Sequence, residues 1–140
     1  MTDNFIIESK ISSIQKYLQI LKGFQNYSQK QIEGDVHLRG SAERYLYLLT
    51  QSVLDLAEAI ISFKDLRRPQ TYSESFDILH EEKLISPDLT EKLVKMAKFR
   101  NIISRDYEDL DFTIIYDVLQ KHLQDIEEFL SVVEDKLNIH

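Results

Sequence analysis

The sequence predicts an all-α protein, an antiparallel bundle of about five helices joined by short connections. Three observations carry that prediction. Apolar residues recur at helical spacing over long segments. Gly and Pro are scarce, three and two in 140 residues, and apart from Gly23 they cluster around the breaks between those segments. No stretch alternates apolar and polar residues for long enough to argue for a strand.

The first segment starts near Phe5. Ile7, Ile11, Ile14, Leu18 and Leu21 lay one stripe down a helix face, and the helix should pass Gly23 and fade by Lys30. The second runs from about 38 to 63 on Leu46, Leu49, Val53, Leu56, Ile60 and Phe63. Tyr47, Leu54 and Ile61 lie on its other sides, so this helix should be central in the bundle or covered by a second chain. After a loop at 64–69, Thr71 and Glu74 form a capping box that opens a short third helix through about Lys83. Ser86 as N-cap and Pro87 in the first turn open the fourth, which should reach Ile103 or Ser104. Asp111 caps the fifth, which should run unbroken to about Lys136 on Leu119, Leu123, Ile126, Leu130, Val133 and Leu137. No internal repeat, low-complexity tract or linker interrupts the chain, so one domain over 1–140 is expected.

Composition narrows the function classes. Without Cys there are no disulfides and no thiolate metal ligands. No unbroken apolar run approaches the roughly 18 residues that span a bilayer, and the N-terminus has no basic stretch or small-residue cleavage site. A cytoplasmic protein without a membrane partner is the default expectation. With 24 acidic residues against 17 basic ones, the net charge of −7 argues against a broad nucleic-acid coat.

The fourth helix breaks both patterns. Leu89, Leu93 and Met96 point to position 100 as the next apolar residue, and position 100 is Arg. Ser104 and Tyr107 would share its face if the helix persisted. A structural account would pair Arg100 with a carboxylate such as Asp55 or Asp117, or let it snorkel. From Lys92 to Arg105 there are also five bases (Lys92, Lys95, Lys98, Arg100, Arg105) and no acid. Such a cluster is usually a solvated face, but it is also large enough to engage a few phosphates, with Lys95, Lys98 and Ser104 as weak RNA-binding candidates.

The residues Phe99-Arg100-Asn101-Ile102-Ile103-Ser104-Arg105-Asp106-Tyr107 resemble the signature of the HEPN superfamily, closest to its HepT branch, the toxin half of HepT–MntA toxin–antitoxin pairs. That branch reads Arg-Asn, three residues, then His-x-Tyr. Glu43-Arg44-Tyr45-Leu46, the segment from Thr71 to Leu79, Leu84-Ile85-Ser86-Pro87, and Tyr107 to Asp111 extend the likeness over roughly residues 5 to 135. The resemblance implies a homodimeric, metal-independent endoribonuclease whose motif residues from both subunits line one cleft. Arg100 would hold and polarise the scissile phosphate. Asn101 would help position the motif or the substrate. Tyr107 would accept AMP from an MntA-like nucleotidyltransferase antitoxin. ATP and Mg²⁺ would then belong to that partner, because this chain has no Gly-Ser followed by paired Asp.

One position departs from the family. The family's catalytic His is replaced by Arg105, whose guanidinium stays protonated and cannot do general-base work. His37, His80, His122 and His140 do not obviously substitute. Either the chain is an inactivated variant of an active toxin, which is the preferred explanation, or its lineage kept the cleft and dropped cleavage. A non-catalytic dimeric subunit that binds the nucleotidyltransferase is the alternative, and an interaction bundle with no site is a third. Geometry adds a constraint. Positions five residues apart diverge by about 140° on a continuous helix, so Arg100 and Arg105 cannot grip one phosphate together. Either the helix ends near Ile103, or a partner subunit supplies the second group.

Overall fold

Residues 2–105 and 111–138 are described by the computed structural model, the side chains of 2–4, 104 and 105 excepted. They form seven helices: α1 (Thr2–Phe24), α2 (Gln29–Glu33), α3 (Val36–Phe63), α4 (Tyr72–Glu81), α5 (Pro87–Arg105), α6 (Phe112–Lys121) and α7 (Leu123–Lys136). No strand occurs among the described residues.

The all-α expectation holds, and two of the five expected helices are each divided. The first ends just past Gly23, because Ser28 starts a new helix. Its hydroxyl accepts from the Gln31 N–H at 3.1 Å, and the Gln31 side chain accepts from the Ser28 N–H at 2.8 Å. The last expected helix breaks at His122, which closes α6 and opens α7. The apolar stripe continues across that break, so periodicity alone could not reveal it. Leu119, Leu123, Ile126, Leu130 and Val133 are all buried.

The predicted caps are present. Asp111 accepts from the Thr113 N–H, and Ser86 accepts from the Leu89 N–H. Thr71 accepts from the Glu74 N–H, but the Glu74 carboxylate reaches past the cap to the Gln70 N–H at 2.8 Å. The α4 helix stops at Glu81 because Lys83 takes a left-handed backbone with φ 60°.

Helix α3 is the axis of the bundle. It packs against α1, α2, α4 and α5, and α5 in turn packs against α4 and α7. Leu46, Leu49, Val53, Leu54, Leu56, Ile60 and Ile61 are buried on several of its sides, as its all-round apolar pattern predicts. By length and composition α3 could cross a membrane; here half of its most apolar window lies inside the bundle. The α1 stripe from Ile7 to Leu21 is buried against it, and the buried apolar residues form one cluster.

The α4 helix begins at Tyr72, and two contacts fix its position. Phe76 meets Phe129 of α7 edge-on, with ring centres 5.9 Å apart, both fully buried. On the surface Arg67 binds both oxygens of Glu81 at 2.6 and 3.1 Å and approaches Glu74 at 3.4 Å, tying the 64–71 loop to the helix. The Arg67 hydrogen bond holds the Glu81 carboxyl below its ordinary value.

Two outcomes are expected. Phe129→Ala removes a fully buried ring and should cost about 3–5 kcal/mol in urea unfolding; a loss under about 1 kcal/mol would mean the site collapses around the gap. Glu81 holds fewer protons folded than unfolded, so its contribution is complete above the ordinary value of 4.5 and fades as pH falls through the depressed one. Arg67→Gln should therefore lose stability at neutral pH and converge on the parent chain in strong acid. A difference that persists at the acidic end would assign the effect to packing.

Candidate functional site

Position 100 lies within about 20° of Leu93 on the α5 wheel, yet the two side chains end up in different places. Leu93 is fully buried, as are Leu89, Ala97, Phe99 and Ile103 within a few percent, whereas Arg100 is half-buried. Toward its C-terminal end the stripe meets not an apolar wall but a polar notch between α3 and the start of α4.

The Arg100 guanidinium fills that notch. Its Nε donates to Gln51 Oε1 at 3.0 Å, one terminal nitrogen donates to Asn101 Oδ1 at 3.1 Å, and the other donates to the Tyr47 hydroxyl at 3.3 Å. Two rings flank it, with the central carbon 5.4 Å from the Tyr47 centre and 5.0 Å from the Tyr72 centre. Every one of these partners is neutral. The expected carboxylates are engaged elsewhere. Asp55 accepts from Gln51 at 3.0 Å and pairs with Lys10 at 3.6 Å. Asp117 pairs with Lys121 at 3.0 Å and approaches His122 at 3.4 Å, and the Lys121 hydrogen bond lowers its carboxyl pKa. Carboxylate pairing of Arg100 is therefore corrected: Gln51 stands where an acid was expected.

A neutral cradle has a chemical consequence. It fixes the guanidinium without spending its charge. Among the described residues three of its five N–H groups are used, which leaves one on each terminal nitrogen, the number a bidentate anion contact requires.

The basic segment is less uniform than its composition suggests. Lys92 is bound by Asp88 at 3.1 Å, which raises its pKa, and lies 3.8 Å from Asp125. Lys95 pairs with Glu91 at 3.4 Å, a solvent-exposed contact that is easily exchanged. Asp88 and Glu91 stand just before the segment and Asp125 on α7, so a count over 92–105 missed them. Lys98 is exposed and has no ion pair among the described residues. Asn101 is exposed beside Arg100. The helix continues through Ser104 to Arg105 and does not end near Ile103. Tyr107 and the acids at 106, 108 and 109 lie outside the described residues.

On the other flank of α5 an apolar groove of about 500 Å³ opens toward α6 and α7. Ile102 and Ile114 line it and are 47% and 45% exposed. His122 sits at the edge with Nδ1 3.0 Å from Asp125, a structural role at the helix junction. His37 and His80 are exposed on α3 and α4, away from Arg100's partners. No group of three or more His, Asp or Glu side chains gathers in a metal-holding arrangement among the described residues.

Sequence reasoning missed Tyr47, Gln51 and Tyr72 as parts of this site. Tyr47 and Gln51 are four apart on α3, one turn, which is the only local signal.

Comparison with known proteins agrees with this architecture. The mRNA nuclease HepT of Shewanella oneidensis is 33% identical over 132 residues, covering 94% of this chain and 98% of that protein. The tRNA nuclease HepT of Aphanizomenon flos-aquae is 28% identical over 138 residues, with 94% of each chain covered. The solved structure of a tri-AMPylated Shewanella oneidensis HEPN toxin in complex with MNT antitoxin superposes with a TM-score of 0.84 at 31% identity, over 93% of this chain and 97% of that one. The family model for ribonuclease HepT-like proteins matches residues 14–133. Spanning that model, and folded on the same helical frame, this chain belongs to the HepT-like ribonuclease family.

Proposed function

We propose that this protein is the toxin half of a HEPN/MNT pair of the type VII kind, a homodimer whose cleft binds RNA and whose cleavage is impaired by Arg105. The observation that carries the reading is the Arg100 cradle: a half-buried guanidinium whose partners among the described residues are all neutral, an arrangement suited to a phosphate. The relatives named as mRNA and tRNA nucleases support RNA as the substrate class.

In the cleaving form of such a site the 2′-hydroxyl attacks the adjacent phosphorus. Its proton passes to a base, and the 5′-oxygen leaves with a proton from an acid. Arg100 stabilises the charge that accumulates on the non-bridging oxygens, and Asn101 fixes one edge of its fork. The proton transfers need a group that titrates near neutrality, which the family's His is and Arg105 is not. Arg105 still offers charge to a phosphate. Lys95, Lys98 and Ser104 lie along the same helix as weak RNA contacts.

The helix supports the dimer. With α5 continuous through position 105, positions 100 and 105 stand about 140° apart around its axis, which favours a second chain as the source of the group opposite Arg100. The apolar groove beside α5, with Ile102 and Ile114 exposed, supports a second copy as its occupant.

Silencing is assigned to Tyr107. An MntA-like nucleotidyltransferase would join AMP from ATP to the phenol oxygen and release pyrophosphate, as the AMPylated relative suggests. ATP and Mg²⁺ belong to that partner. The added phosphate, seven positions from Arg100, would block RNA by bulk and by repulsion. A second reading rests on Arg105 itself: a non-catalytic dimeric subunit that only binds its nucleotidyltransferase.

Arg105→His separates the two. The revertant should cut RNA in vitro and arrest host growth, and adding Arg100→Ala should lower cleavage by about 10²–10³-fold. A revertant that cuts nothing and leaves growth untouched removes the ribonuclease reading and favours the binding subunit. Tyr107→Phe should abolish labelling by radioactive ATP and the nucleotidyltransferase. Labelling that persists on another residue takes Tyr107 out of the mechanism.

A further inference from the structure

Arg100 is not the only guanidinium on the Tyr47 ring. Arg44, one turn earlier on α3, places its central carbon 5.8 Å from the same ring centre. Arg44 is exposed and has no ion pair among the described residues. Two like charges therefore share one aromatic ring. On the far side of Arg100, Tyr72 shows one face to the guanidinium and remains 39% exposed. In order the surface reads Arg44, Tyr47, Arg100, Tyr72: cation, ring, cation, ring.

Interleaved cations and rings match the chemistry of a single nucleic-acid strand, in which phosphates alternate with flat bases that stack on aromatic faces. The arrangement does not fit a duplex, whose bases are already stacked. None of these four residues lines the apolar groove beside α5.

We propose that Arg44, Tyr47 and Tyr72 extend the Arg100 site into a track for one RNA strand. Tyr72 stacks a base next to the phosphate held by Arg100. Arg44 holds a neighbouring phosphate, and Tyr47 is the wall between the two phosphate sites. This inference rests on the RNA-binding reading above and adds the direction in which the strand runs, from the start of α4 toward the N-terminal half of α3.

The test uses the whole chain without its nucleotidyltransferase. Fluorescence anisotropy reads the binding of a labelled single-stranded oligoribonucleotide, and NMR titration reads a dinucleoside monophosphate that has a single phosphodiester. Circular dichroism checks that each variant is folded. Tyr72→Ala should weaken oligonucleotide binding about tenfold, and Tyr72→Phe should restore it. Arg44→Ala should weaken the oligonucleotide and reduce the salt slope by about 0.7, while leaving the dinucleotide unaffected. Arg100→Ala should weaken both ligands.

If Arg100→Ala weakens binding while Arg44→Ala and Tyr72→Ala match the parent, the strand runs elsewhere; the track is wrong and the RNA-binding reading stands. If Arg44→Ala weakens the dinucleotide as much as the oligonucleotide, Arg44 only positions Arg100 and the second phosphate site is wrong. If the two variants spare RNA but weaken capture of the nucleotidyltransferase, the surface belongs to the antitoxin and the track is overturned. A parent chain that binds neither ligand removes the track together with the RNA-binding reading.

Discussion

The site depends on one constraint: a permanent charge must stand in the inner stripe of a helix that is otherwise core. Arg100 shares α5 with Leu89, Leu93, Ala97 and Ile103, all buried. Burial disfavours a charge without partners, and pairing it with a carboxylate would cancel the charge that phosphate binding needs. The structure resolves the conflict with neutral acceptors and aromatic faces. Gln51, Asn101 and the Tyr47 hydroxyl satisfy three donors, and Tyr47 and Tyr72 flank the guanidinium. A carboxylate at position 51 would give tighter local pairing and a weaker anion site.

That solution explains the division of labour among the helices. The α3 helix is buried on several sides, so it is rigid where it presents Tyr47 and Gln51. The α4 helix is short, and the edge-on Phe76–Phe129 contact anchors it from inside while Arg67 ties it from outside. Both contacts fix where Tyr72 stands. Residues far from any phosphate thus set the geometry of the group that would meet one.

Much of the fold was legible because helical burial writes itself into spacing. The α1 stripe, the α3 stripe from Leu46 to Ile60 and the Ser86, Thr71 and Asp111 caps appear where the sequence puts them, whereas Phe63, read as the end of the α3 stripe, is exposed. The breaks at Ser28 and His122 were not read, for different reasons. Ser28 and Gln31 form a capping box inside a polar stretch that looked like a fading helix. At His122 the apolar register runs on unbroken, so nothing in the stripe marks the change of axis. In the site, Arg100 itself was legible as a violation of periodicity. Its partners were not, because they lie 49 and 53 residues away in sequence on α3, and only the packing of α3 on α5 makes them neighbours. The carboxylates nominated from sequence were chosen by charge alone, and Lys10 and Lys121 had prior claim on them.

Charge itself is read differently once the fold is known. A net −7 describes the whole surface, and five bases in a row of 14 describe a segment; neither describes a site. Folding neutralises part of the segment, since Lys92 and Lys95 are met by Asp88, Asp125 and Glu91. It also brings in a cation from outside the segment, Arg44, through the Tyr47 ring. Arg44 and Arg100, which meet no acid among the described residues, come together where α3, α5 and the start of α4 meet, while Lys98 stands exposed on α5. With a screening length of about 8–10 Å in physiological salt, the charges nearest a site count for more than the chain-wide total. An acidic protein can therefore carry an anion site without a basic face, provided the cations at that site are held by groups that leave their charge intact.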